Sequence, residues 1–362
     1  MKNLLSVLPF VALTVFCWGV YGPVLHEGQH LMGVEKQPSS LRPLICVGIA
    51  YFIIAVIFPL IVLRTKGEKG NWTTSGFVWS LGAGAAGALG ALGIVLAFKF
   101  KGAPVYVMPL VFGLAPVVNT FVTMLMSRTL KQASIPFYAC VATVAIGAAG
   151  VMYFKPTAPK GAAEKPSVAE TSESAESASE ASDKVATAST SAAGPNYLMV
   201  SLFIGLTAVS WGAYGPVLHK GQMKMNGSRL RPLLCVGLAY FAIAVVVPVL
   251  LMPSFPEPGP DPYGWPPLGV LWSLGGGAAG AFGAIGIIYA FNFGGKPIFV
   301  MPLVFGCAPV VNTFISTIGA GTYAYIGMPF VVSLLLVVSG AVGVLVFAPR
   351  GPHKPSPNAP AH

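Results

Sequence analysis

Hydrophobic positions in this chain fall in long, almost uninterrupted blocks separated by short polar segments, with neither the alternation of a half-buried strand nor the polar stripe of a soluble amphipathic helix. About 20 apolar residues carry a helix across a bilayer, and applying that length predicts spans at 4–24, 43–63, 76–98, 104–126 and 136–154, then at 197–217, 232–252, 268–291, 297–318 and 326–347. The expected fold class is all-α: a polytopic membrane protein of about ten transmembrane helices. Residues 155–195 interrupt the pattern. They are rich in Ser, Ala and Glu, with almost no large apolar side chain to offset the entropy of ordering, so a disordered linker is predicted there.

The blocks repeat. Residues 18–29 read WGVYGPVLHEGQ and residues 211–222 read WGAYGPVLHKGQ. Trp79, Pro109, Asn119 and Pro136 recur as Trp272, Pro302, Asn312 and Pro329 at an offset of 193, while Leu41-Arg42-Pro43 recurs as Leu230-Arg231-Pro232 at 189. Only loops differ in length. A period this long, present twice, reads as a duplicated unit rather than a solenoid. The chain thus divides into a first five-helix repeat (1–154), the linker (155–195), a second five-helix repeat (196–348) and a disordered cytoplasmic tail (349–362). Residues 1–22 resemble a signal peptide, but their copy at 197–217 is internal, so a retained span is expected.

Composition reinforces this picture. Hydrophobic residues make up 55% and charged ones 9% of the chain, outside the range of soluble domains. Cys17, Cys46, Cys140, Cys235 and Cys307 all lie in apolar segments, where a thiol is a small hydrophobe, and they point to neither disulfides nor a metal site. The net charge of +10 is spread over short loops, which fits a membrane protein better than a nucleic-acid binder.

An odd number of spans per repeat makes the second copy enter the membrane from the opposite side, and loop charges test this. The loop 64–72 carries Arg64, Lys66 and Lys69, whereas its counterpart 253–265 has no basic residue and carries Glu257 and Asp261. Arg128 and Lys131 likewise have no basic counterpart near 320–327. Under the positive-inside rule both termini are expected to be cytoplasmic and the linker external, with Lys36, Arg42, Lys99 and Lys101 as exceptions on the outer side. A bacterial-type plasma (inner) membrane is the expected location.

The WG pair in the first helix of each half, the short connection into a fourth helix of the form APVYVMPLVFGLAPVVNTF, and the 5+5 layout resemble the drug/metabolite transporter superfamily, in particular its EamA-type members. The resemblance covers both halves but not the linker, which is longer than is usual in that family. It implies two inverted repeats carrying a small metabolite through a site between the halves.

Candidate chemistry is concentrated in a few positions. In the fourth and ninth spans Pro109, Pro116, Pro302 and Pro309 each remove a backbone donor, freeing acceptors that are tolerated where they line a cavity or are buried in protein. Asn119 and Asn312 follow on nearly the same face, ~6 Å from the midplane by helical rise. They would either line a shared substrate site from opposite leaflets or hydrogen-bond neighbouring helices as packing glue. His26 and His219 are expected where the first helix of each half leaves the membrane, as proton relays or interface residues. Trp18 and Trp211 would line the cavity or merely pack. Arg42 and Arg231 read as an anion attractor or as snorkelling anchors. Glycines 84, 87, 90 and 93, echoed at 277, 280, 283 and 286, read as close helix packing. No carboxylate lies within a predicted span, no nucleophile has a base beside it, and no metal-ligand spacing occurs, so an enzyme, a cofactor and a metal are not expected. The sequence favours a secondary transporter of a small-molecule substrate, embedded in the lipid bilayer as a monomer or homodimer, over a sensor or scaffold that retains the fold.

Overall fold

The computed structural model describes residues 2–34, 37–157, 195–255, 257–258, 264–293 and 297–347. The predicted linker (but for its first and last residues) and tail lie outside them. Ten helical rods follow one another: α1 Lys2–Met32, α2 Leu41–Thr65, α3 Thr74–Lys99, α4 Pro104–Ser127, α5 Ile135–Tyr153, α6 Tyr197–Lys224, α7 Leu230–Leu251, α8 Pro267–Asn292, α9 Pro297–Gly319 and α10 Met328–Val346. No strand occurs among the described residues. Nine of these helices are long and apolar enough to cross a membrane, and the described part of α9 adds an apolar helix from Leu303 to Gly319. The chain is built as a polytopic membrane protein.

Two features differ from expectation. First, α1 and α6 do not end after Tyr-Gly-Pro; they run on through Pro23 and Pro216 to Met32 and Lys224. His26, Gln29, His219 and Gln222 therefore stand on helix, and Glu27 lies within a span, on its exposed side. Second, α2 and α7 each contain one wide π-type turn, Ile53–Ile57 and Ala242–Val246, immediately before Pro59 and Pro248. A proline that cannot donate to the preceding turn explains why the ladder loosens there, in both copies.

Helices of one copy pack chiefly on helices of the other. α1 lies along α8, and α6 along α3; α2 and α7 complete each pair by packing on α8 and α3 respectively. The glycine series explains the closeness. A methyl group on Gly90 would land in the indole of Trp211, and one on Gly283 in the indole of Trp18. With hydrogen there instead, the side chains reach the helix backbone: Trp211 Nε1 donates to Gly87 O at 3.1 Å and Thr207 Oγ1 to Gly90 O at 3.1 Å, while Trp18 Nε1 donates to Gly280 O at 3.3 Å and Thr14 Oγ1 to Gly283 O at 3.0 Å. Each contact recurs 193 residues on. Lipid offers no hydrophobic drive for helix association, so close approach and such bonds carry it. At the periphery α5 and α10 pack together, with the backbone of Val337 against Gly147 and that of Val144 against Gly340.

The two ends of the bundle are each tied by a carboxylate. Glu257, buried between α7 and α8, accepts from the Ser40 backbone N–H at 2.6 Å and from the hydroxyls of Ser39 and Ser40, satisfying donors at the start of α2. Arg42 joins this cluster, donating from Nε to Ser39 Oγ and from its terminal nitrogens to the carbonyls of Met32, Pro258 and Gly264. At 1% exposure it is neither a snorkelling anchor nor an open anion attractor. At the other end Glu68 does the same for α7, accepting from the N–H groups of Arg229 (2.9 Å) and Leu230 and from Ser228 Oγ (2.6 Å), with Arg231 Nη1 at 3.6 Å. Glu68 and Glu257 are themselves 189 residues apart.

Candidate functional site

A cavity of about 820 Å³ reaches from one end of the bundle to its middle. Its mouth lies where α4 and α6 finish and α7 begins, between Met126, Ser127, Met223 and Arg229. Thr123 and Asn119 of α4 and His219, Lys220 and Gln222 of α6 line the way in. The floor is aromatic: Trp18, Trp211, Phe112 and Phe305 surround it, with Tyr21, Tyr51, Tyr214 and Tyr240 among them. Tyr51 and Tyr240 stack face to face, centroids 3.7 Å apart and planes 4° from parallel, so the second helix of each copy meets the other there. The Tyr21 ring stands edge-on to Trp211 at 5.9 Å, and its buried hydroxyl has no hydrogen-bond partner among the described residues.

At the opposite end the described residues close together, and those that are buried there are sequence copies of residues that stand open. Asn312 is 0% exposed and donates from Nδ2 to Pro104 O at 2.9 Å, binding α9 to the first turn of α4. Asn119, its counterpart, is partly exposed on the cavity wall. Gln29 is buried and donates to Ser39 O at 2.9 Å and Val95 O at 3.1 Å, whereas Gln222 lines the cavity. Thr123 is exposed to the cavity, but Ser316 is buried with its hydroxyl unpartnered. His26 stands edge-on to Phe98 at 5.0 Å and approaches His30, Nε2 to Nε2 at 3.3 Å; His219 is exposed at the mouth.

Of the residues singled out from the sequence, Asn119, Trp18, Trp211 and His219 come together around the cavity, and Asn312 and His26 fall in the sealed end. Pro109 and Pro116 are buried within α4 and Pro309 within α9, away from the cavity wall. The Pro302 side chain lies outside the description. Both tryptophans do two things at once, bonding a glycine carbonyl with the indole N–H and lining the cavity. Sequence reasoning passed over the four tyrosines. Their signal was present: Tyr21 recurs as Tyr214 at 193 and Tyr51 as Tyr240 at 189, the same two offsets that mark the repeat.

Scanned against models of known protein families and against curated proteins, the chain matches none.

Proposed function

We propose that this chain is a secondary transporter of a small organic metabolite, organised as two inverted five-helix repeats in the manner of the drug/metabolite transporter superfamily, EamA type. The observation that carries the reading is the cavity open at one end and sealed at the other by repeat-equivalent residues. A duplicated unit whose copies are inverted can exchange the conformations of its halves, and the site then faces the opposite side of the membrane. Further support comes from the loops. The loop holding Glu68 meets the start of α7, and the loop holding Glu257 meets the start of α2, as antiparallel copies require. Taken with the loop charges, the open mouth faces the cytoplasm together with both termini.

In this reading Asn119 and Asn312 serve in turn. Asn312 now latches the far end on Pro104 O while Asn119 faces the cavity; when the halves exchange, Asn119 closes on the equivalent Pro297 carbonyl and Asn312 is freed. The two amides never line the site together, which replaces the expectation of a shared site.

Single cysteines in the full-length chain stripped of its native ones test this without knowledge of the substrate. Thr123→Cys should react with an impermeant thiol reagent in inside-out vesicles and not in right-side-out ones. Ser316→Cys should react slowly, and only from the opposite face. A Ser316→Cys protein that never labels from either side would mean a fixed cavity and a sensor in place of a transporter.

A further inference from the structure

Which ligand does the cavity take? Among the described residues only two side chains lining it carry a fixed charge, Lys220 and Arg229, and both are cations; no described Asp or Glu borders it. Among the described residues neither side chain forms an ion pair. Lys220 Nζ sits 3.8 Å over the ring of Trp79, a contact that leaves the ammonium able to receive an anion. The repeat singles out this residue. Within the twelve-residue segments 18–29 and 211–222 only two positions differ, Val20 against Ala213 and Glu27 against Lys220. One is a change of size; the other reverses a charge at the same place on the first helix of each copy.

Below the cation the wall is rich in aromatic side chains. Trp18, Trp211, Tyr214, Phe112 and Phe305 supply rings, beside the aliphatic Ala284, Ile287 and Ile288, and the Tyr21 hydroxyl has no hydrogen-bond partner among the described residues. Ring faces favour a planar apolar body, held by offset stacking or edge contacts. From Tyr214 to Lys220 the helix advances about 9 Å at 1.5 Å per residue, the length of a one- or two-ring acid.

Building on the transporter reading, we propose that the cavity takes small organic anions, with an aromatic body on the Trp/Tyr floor and an acidic group at Lys220. The charge reversal gives the exchange a sense. A ligand admitted beside Lys220 would, once the halves exchange, stand beside Glu27, where its charge is repelled, so capture is favoured at the cytoplasmic mouth and release at the other.

Three probes with one ring system separate charge from shape: 2-naphthoate, 2-naphthamide and 2-naphthylmethylammonium, titrated calorimetrically into the purified full-length protein. The acid should bind at least about tenfold tighter than the amide, the equivalent of one partly desolvated charge contact, and the ammonium weakest. Lys220→Met should abolish the advantage of the acid while leaving the amide unchanged, and Lys220→Glu should reverse the order of acid and ammonium. Equal binding of all three, tightest binding of the ammonium, no binding of any, or an acid preference that survives Lys220→Met would each overturn the proposal. An unchanged amide affinity in the variants reports an intact fold. The cysteine measurements need no ligand, so a protein that binds naphthoate but is accessible from one side only keeps the anion site and loses the transport.

Discussion

The two ends of the bundle are assembled from the same residues and differ in what those residues touch. At the sealed end Asn312, Gln29, Ser316 and Glu257 are buried, and all but Ser316 are hydrogen-bonded to backbone of a neighbouring segment. At the open end Asn119, Gln222 and Thr123 line the cavity, and Glu68 keeps a more accessible version of its tie. Repeat-equivalent side chains, identical at the Asn, Gln and Glu positions, have different surroundings, so the state of each end belongs to packing, not to residue type. An amide is useful at such a position because it is soluble in an open vestibule and satisfied in a closed one, whereas a carboxylate would be costly when buried alone.

Substitutions at equivalent positions should therefore have unequal effects. The largest contrast is expected at the carboxylates. Glu257→Ala removes a buried charge that satisfies three donors beside the buried Arg42 and should destabilise the detergent-solubilised protein by about 3 kcal/mol, while Glu68→Ala, partly exposed, should cost about 1 kcal/mol. Equal losses in thermal denaturation would mean the two ties are equivalent. Next, Gln29→Leu gives up two intramembrane bonds and should cost about 1 kcal/mol, against little measurable change for Gln222→Leu. Asn312→Leu should lose about 0.6 kcal/mol and, more tellingly, raise the labelling rate of Ser316→Cys by severalfold as the latch on Pro104 is lost. Asn119→Leu should leave stability unchanged and lower that labelling rate, because the exchanged state loses its own latch. The smallest contrast is predicted in the middle: Trp18→Phe and Trp211→Phe each forfeit one bond to a glycine carbonyl, and their losses, about 0.6 kcal/mol, should agree. A difference there would mean that the asymmetry reaches the centre.

How much of this could be read from the chain? The ten helices were legible, because hydrophobic blocks of span length survive any tertiary arrangement, and their predicted limits differ little from those observed except at α1 and α6. There the Gly-Pro pair suggested an exit that the helix does not take; a proline in a membrane helix is accommodated when neighbours cover the freed backbone. The glycine series announced close packing, but not that Trp211 meets Gly90 and Trp18 meets Gly283, since a spacing names a face and leaves the partner unnamed. The cavity residues were found only in part for the same reason. Asn119 stood out as a polar residue in an apolar helix, whereas the tyrosines drew no notice until the fold placed all four on one floor. Glu257 was weighed as a loop charge and Glu68 was passed over; that each caps a helix of the other copy depends on a contact across more than 200 residues for Glu257 and about 160 for Glu68.

The cross-copy glycine contacts also set a timetable for biosynthesis. Thr14 bonds a carbonyl that lies 269 residues downstream. At about 5–20 residues per second, roughly 15–50 s elapse between emergence of the first helix from the ribosome and emergence of its partner. Through that interval the indole and hydroxyl of α1 face lipid or the insertion machinery instead of the helix that will receive them. A ribosome that stops after the first copy therefore releases a segment with its polar edge uncovered, a form that membrane quality control can recognise and remove.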